Sequence, residues 1–311
     1  MLSVNRTTSI LFIFLLAMAC KNSSSGKKEI DSDSTLFPSE LVNFIPYKGN
    51  PVFSGADSSA WDEQIRERGY ILKEKDGYHL WFTGYKKEKP DTLFAGYATS
   101  QDGINWTRYK HNPIFSDSWT EDMMVVKLDS LYYMFAEGRG DSAHLLTSGD
   151  KIHWKDHGPL QIRYTNGKPL TPGPYGTPTA WMEDSIWYLF YERNDSAVWL
   201  ASSKDLKLWT NVQDEPVLNK GPEPYDKYGV ALNQVIKHNG MYYGYYHGTA
   251  LEDWSEWSTN VAVSMDLRNW KKYNVNPIMK ENKSSGILVH DGSQYRLYTM
   301  HPEVSVHFSS K

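Results

Sequence analysis

The pattern S-x-D-x-x-x-W occurs four times: SQDGINW at Ser100–Trp106, SGDKIHW at Ser148–Trp154, SKDLKLW at Ser203–Trp209 and SMDLRNW at Ser264–Trp270. A short aromatic run precedes each copy, at Tyr78–Phe82, Leu131–Phe135, Ile186–Phe190 and Met241–Tyr246. A fifth run, Gln294–Tyr298, has no such phrase after it. The run starts are spaced 53, 55, 55 and 53 residues apart. A fixed period of this size is the signature of a repeat architecture and leaves few folds open. The first repeat reads RGYILKEK, a turn at Asp76-Gly77, YHLWFTGY, TLFAGYATS, the turn phrase and WTRYKHNPIF, which is four short strands joined by tight turns. The later repeats carry turn-forming pairs at the same place: Asp129-Ser130, Asp184-Ser185, Asn239-Gly240 and Asp291-Gly292. Four-stranded units repeated radially predict an all-β fold, a five-bladed β-propeller. The S-x-D-x-x-x-W phrase is then the turn between the third and fourth strands. Its Asp binds nearby backbone amides, and its Trp packs between neighbouring blades. The fifth repeat stops early, at residues 305–310. The segment NFIPYKGNPVF, residues 43–53, is similar to the strand ends KHNPIF and NVNPIM. It is expected to supply the missing outer strand and close the ring, which removes free edges.

Near the start of the sequence Arg6 precedes an apolar stretch, Ile10–Ala19, which is followed by the single cysteine, Cys20. Ten apolar residues are too few to span a bilayer and fit a signal-peptide core. The cysteine lies where cleavage is expected, so Cys20 is read as a lipidation site. The expected organisation is a lipoprotein signal peptide over 1–19, a lipidated Cys and flexible tether over 20–42, and a propeller over 43–311. The expected location is a bacterial outer membrane, at its surface or periplasmic face. One cysteine excludes an intrachain disulfide. A net charge of −4 gives no support for nucleic-acid binding, and a monomer is expected.

In a propeller, the starts of the first strands and the ends of the second strands meet at one mouth of the central funnel. The catalytic candidates there are Glu67, Asp122, Glu192, His144, His247 and His301. Candidate substrate contacts are Asp62, Arg66, Arg68, Glu137, Arg139, Arg193 and Asn233. The aromatic fraction is 14%, high enough to supply flat faces for sugar rings, and Trp61, Trp119 and Tyr175 are the expected stacking platforms. Carboxylates at a shared mouth suit acid/base work on a glycosidic bond. Arginines there suit an acidic sugar. No Cys/His spacing suggests a zinc site. No cofactor is required, and the channel leaves room for a single Ca²⁺.

The stretch DGYHLWFTGY followed by GYATSQDGINW, with the recurrent NPI strand ends, resembles the five-bladed propeller carbohydrate-active enzymes of the arabinanase/β-xylosidase, invertase and anhydro-galactosidase types, over residues 43–311. The resemblance implies three acids at the starts of the first strands of blades one to three. Glu121 and Asp122 match in blade two. In blade one the position is Arg68, with Glu67 and Asp62 nearest, and in blade three it falls in the neutral YGTPT, with Glu192 as the available substitute. The expected function is a glycoside hydrolase acting at chain ends of an acidic, uronic or sulfated, oligosaccharide. A lyase or dehydratase on uronic-acid-containing oligosaccharides is the alternative, because arginines replace a standard acid. A non-catalytic glycan-binding lipoprotein is the third reading.

Overall fold

The computed structural model describes residues 35–170 and 174–310, apart from the Glu67 side chain. The leader, Cys20 and most of the tether lie outside the described residues. No helix among those described is long and apolar enough to cross a membrane.

Five mainly antiparallel sheets form the blades. Blade one contains Gln64–Glu74, Gly77–Lys86, Lys89–Ser100 and Trp106–Arg108. Blade two contains Glu121–Leu128, Leu131–Gly138, Ser142–Ser148 and Lys155–Pro159. Blade three contains Gly176–Glu183, Ile186–Glu192, Ala197–Ser203 and Leu208–Asn211. It departs from the four-strand expectation: Gln161–Arg163 adds in parallel to Leu208–Asn211, and Leu218–Asn219 pairs with Ala197–Ser203. Blade four contains Gly229–His238, Met241–Thr249, Ser258–Ser264 and Trp270–Lys272. Blade five contains Ile287–His290, Tyr295–Met300 and Val304–Ser309, and its fourth strand is Phe44–Pro46, antiparallel to Val304–Ser309. The N-terminal segment therefore closes the ring as expected.

The repeated phrase does the work its residues allow. Asp102 Oδ1 accepts hydrogen bonds from the amides of Ile104 and Asn105 at 2.9 and 2.8 Å, and Asp150, Asp205 and Asp266 repeat the arrangement. Each Trp then meets an aromatic ring of the preceding blade edge-on: Trp154 with Trp81, Trp209 with Phe135, Trp270 with Phe190, and Trp106 with Tyr298 across the closure, at centroid distances of 5.9–6.5 Å. Such pairs contribute about 0.5–1.5 kcal/mol each beyond burial.

The stretch 36–42, expected as tether, packs on the propeller. Phe37 and Leu41 are buried, and Tyr243 and Tyr245 donate to the carbonyls of Leu36 and Leu41 at 2.8 and 2.7 Å. Leu36, Phe37, Leu41 and Val42 give it apolar area that the polar residues before it lack.

Candidate active site

The first strands of blades one to four each skip register near the funnel, between Arg66 and Tyr70, Glu121 and Met124, Gly176 and Thr179, and Leu232 and Gln234. Bulges re-aim side chains and end regular pairing. At two of them non-glycine residues take left-handed backbone, Asp122 with φ 44° and Thr177 with φ 43°. Such conformations cost about 1–3 kcal/mol and persist only where the surroundings impose them. Here Arg68 imposes them. Its guanidinium is fully buried and donates to Thr179 Oγ1 at 2.7 Å, to the carbonyls of Pro178 and Asn233 at 2.8 and 3.1 Å, and to the carbonyl of Asp122. One cation thus ties the bulges of blades two, three and four together. Burial lowers the Arg68 pKa, and the charges of Asp122 and Glu137 oppose that shift.

Beside these bulges lies a cavity of about 590 Å³, on which Asp122, Glu137 and Glu192 converge. Thr177 links two of them: its amide donates to Glu137 Oε2 at 2.7 Å and its hydroxyl to Asp122 Oδ2 at 3.2 Å. Glu137 and Glu192 flank Gly176, where an added Cβ would collide with a carboxylate oxygen of each. Burial pushes the Glu192 carboxyl up to about 8, helped by the charge of Asp195 and opposed by the Asp195 amide, which donates to Oε2 at 2.5 Å. Glu137 is raised well above the usual carboxylate range by burial and then by Asp122 and Glu121. Close like charges cannot all ionise, so this group holds a proton at neutral pH. Glu121 belongs to a different pairing: it accepts from Trp119 Nε1 at 2.7 Å and binds Arg66 Nε at 3.1 Å. His247 faces the same cavity. Asn233 Nδ2 donates to His247 Nδ1 at 3.0 Å, and His247 Nε2 lies 3.8 Å from Asp195 Oδ1. Trp254 and Trp257 complete the wall.

The cavity gathers Asp122, Glu137, Glu192, His247, Arg66 and Trp119 from the expected residues. His301 is half-buried nearby. Burial and the neighbouring His247 lower its pKa, and Asp122 raises it. The strand position of Glu67 is at the blade-one bulge, and its side chain is outside the described set. Several expectations are corrected. Arg68 and Asn233 are fully buried behind the cavity and hold its residues rather than a substrate. Asp62 is buried by its ion pair with Arg108, 2.7 Å, and Trp61 stacks on Phe82 at 6.0 Å. Tyr175 is buried edge-on against Tyr191 with its hydroxyl on the Leu160 carbonyl, and Arg193 lies over Trp199. Arg139 and His144 line a neighbouring cavity. The acidic-substrate expectation rested on arginines, and Arg68 is committed to main-chain carbonyls and the Thr179 hydroxyl. Trp254, Trp257 and Asp195 were not singled out from the sequence. Trp254 and Trp257 come from residues 250–257, the longest connection between second and third strands. That excess length, carrying two tryptophans, is the signal that marked it.

The Arg68 guanidinium is buried among the first strands of blades two, three and four, where it bonds Asp122, Pro178, Thr179 and Asn233. Among the described residues, the carboxylate–histidine group spaced for an ion is Glu74, Asp76 and His79, at the opposite end of the first strand. Lys151 already sits there, 2.7 Å from Glu74 and 2.9 Å from Asp76.

Gly176→Ala is expected to fold and to lose activity roughly a hundredfold, because the methyl displaces both carboxylates by a fraction of their working distance. Unchanged activity in the soluble variant would show that Glu137 and Glu192 are not acting together.

No family model matches the chain. A 1,2-beta-oligomannan phosphorylase of Thermoanaerobacter sp. (strain X514) is 28% identical over 190 residues, 57% of this chain and 59% of the relative, so the chain matches little more than half of that protein's length. A putative glycoside hydrolase from Parabacteroides distasonis superposes with a TM-score of 0.72 at 16% identity, covering 90% of this chain and 99% of that one. A structure described under the GH130 family of mannoside phosphorylases, containing glycoside hydrolases that target beta-1,2 mannosidic linkages in Candida mannan, superposes with a TM-score of 0.65 at 16% identity, covering 86% and 93%. At these identities the likeness to the solved structures establishes the fold alone, a five-bladed propeller.

Proposed function

We propose that this protein is a glycoside hydrolase that cleaves a neutral, β-1,2-linked mannooligosaccharide from its chain end. The observation that carries the reading is the convergence of Asp122, Glu137 and Glu192 on one cavity, where burial raises the pKa of both glutamates. Hydrolysis needs an acid for the leaving oxygen and a base for water. In this reading Glu192, with Glu137 beside it, gives its proton to the glycosidic oxygen as the C–O bond breaks. Asp122, held by the Arg68 amide at 3.3 Å and the Thr177 hydroxyl, takes a proton from the water that adds to the anomeric carbon. Trp119, Trp254 and Trp257 offer faces to the sugar ring. The mannoside assignment is supported by the activities named for the similar proteins, an oligomannan phosphorylase and glycoside hydrolases that target beta-1,2 mannosidic linkages.

Water is favoured over phosphate by charge. Among the described residues lining the cavity, Arg66 is the permanent cation, and Glu121 already pairs with it. A phosphate dianion would enter among carboxylates with little to offset the repulsion. The same argument weighs against an acidic sugar and against elimination driven by arginines. Binding without chemistry does not require several buried carboxyls side by side, which destabilise the fold.

The test is β-1,2-mannobiose incubated with the purified protein, with and without inorganic phosphate, and the products weighed by mass spectrometry. Free mannose formed at a rate independent of phosphate is expected. Mannose 1-phosphate formed only with phosphate would overturn the hydrolytic reading. No cleavage of any neutral mannooligosaccharide, with cleavage of an acidic one, would overturn the substrate.

A further inference from the structure

We infer that a second cavity, beside the first, binds a further neutral sugar residue of the same glycan, so that the protein prefers substrates longer than a disaccharide. The inference rests on the glycan-cleaving reading and extends it. This cavity, about 510 Å³, lies between blades one and two. It shares Trp119 with the first cavity, and the turn Gly138–Asp141 lines both: Gly138 and Arg139 on one side, Gly140 and Asp141 on the other. A single ligand passing over that turn can occupy both.

Its walls have the chemistry of a sugar subsite. The Arg139 guanidinium lies 5.1 Å over the Trp119 ring and donates to the Asp91 carbonyl at 3.1 Å, which makes a broad, flat wall fixed to blade one. Flat π faces take the C–H face of a pyranose. Asp91, Asp117 and Asp156 offer carboxylates for pairs of hydroxyls, with Ser118 beside Asp156, while Leu93, Phe94 and Pro159 supply apolar contact. A concave wall that sets polar groups beside aromatic and apolar contact suits a small polar ligand. His144 stands in the wall with Nδ1 3.3 Å from Asp156, and its buried Nε2 has no hydrogen-bond partner. The carboxylates make an anionic residue unfavourable here, so the occupant is a neutral hexose.

Ser116 is exposed at the cavity and contributes little bulk, so Ser116→Trp fills the space without removing a contact. With the full chain, kcat/KM for β-1,2-mannotetraose is expected to fall roughly tenfold in this variant, about 1.4 kcal/mol, while mannobiose changes less than about twofold. Equal effects on both substrates would overturn the inference. Calorimetry of mannotetraose binding to an inactive Glu192→Gln protein, with and without S116W, reads the cavity apart from catalysis. Binding roughly tenfold weaker with S116W supports the inference even where cleavage proves phosphorolytic, and equal binding overturns it. Failure of any mannooligosaccharide to bind either protein overturns the substrate reading itself.

Discussion

Glu192→Gln is expected to reduce glycoside cleavage roughly a thousandfold and at the same time to stabilise the fold above neutral pH. The first half follows from removing the proton donor. Wild-type activity should fall as pH rises through about 8, because the raised Glu192 carboxyl then loses its proton. A rate that instead rises across that range would make this carboxyl the base. The second half is linkage. A carboxyl whose folded pKa lies above its unfolded value binds more protons in the native state. Its favourable contribution is complete below the unfolded pKa and is lost as pH rises through the folded one. Glutamine stays neutral throughout. The variant and wild type should therefore have similar melting temperatures near pH 4. At pH 9 the variant should be more stable, by on the order of 3 kcal/mol, since each pKa unit is 1.36 kcal/mol and the partner Glu137 shares the proton. Thermal melts at the two pH values, beside a rate profile, check both. A variant that melts lower than wild type at pH 9 would show that Glu192 is held by favourable contacts and is not a strained acid.

Arg68→Met should be the most damaging single change. Methionine fills much of the volume but donates nothing to the carbonyls of Asp122, Pro178 and Asn233. Breaking a buried charged network by removing one partner costs about 3–5 kcal/mol, a fall in Tm of roughly 10 °C. The bulges carrying Asp122 and Thr177 lose what holds them in left-handed backbone, so residual folded protein should also lose activity about a hundredfold. Arg68→Lys separates the two effects. It restores the charge, and with it part of the stability, but an ammonium lacks the planar fork that reaches three blades. A lysine variant with full activity would show that charge alone, without that geometry, positions Asp122.

Much of the molecule was legible before any coordinates. The four S-x-D-x-x-x-W phrases and five aromatic runs encode turns and strands through contacts made within a few residues, such as Asp102 on the amides of Ile104 and Asn105. Local interactions of that kind are readable because the partners are neighbours in sequence. The spacing then fixed the number of blades, and the short fifth repeat required the N-terminal strand. Asp122, Glu137, Glu192 and His247 were also findable, as titratable residues at strand ends that a propeller turns towards its axis.

The roles within that mouth were not legible. Side chains alternate faces along a strand, and one extra residue reverses the alternation. The bulges near Arg68, Asp122, Thr177 and Asn233 do that, so sequence position could not say that Arg68 and Asn233 sit behind the cavity while Asp122 lines it. Nor does sequence show that Gly176 lets two glutamates from different blades approach, since their separation depends on how the blades are rotated about the axis. The sequence by itself determined the repeat, the turns and the inventory of acids. Only the tertiary structure decided which acids have a raised pKa, because burial and mutual repulsion are properties of the space between blades and not of any one strand.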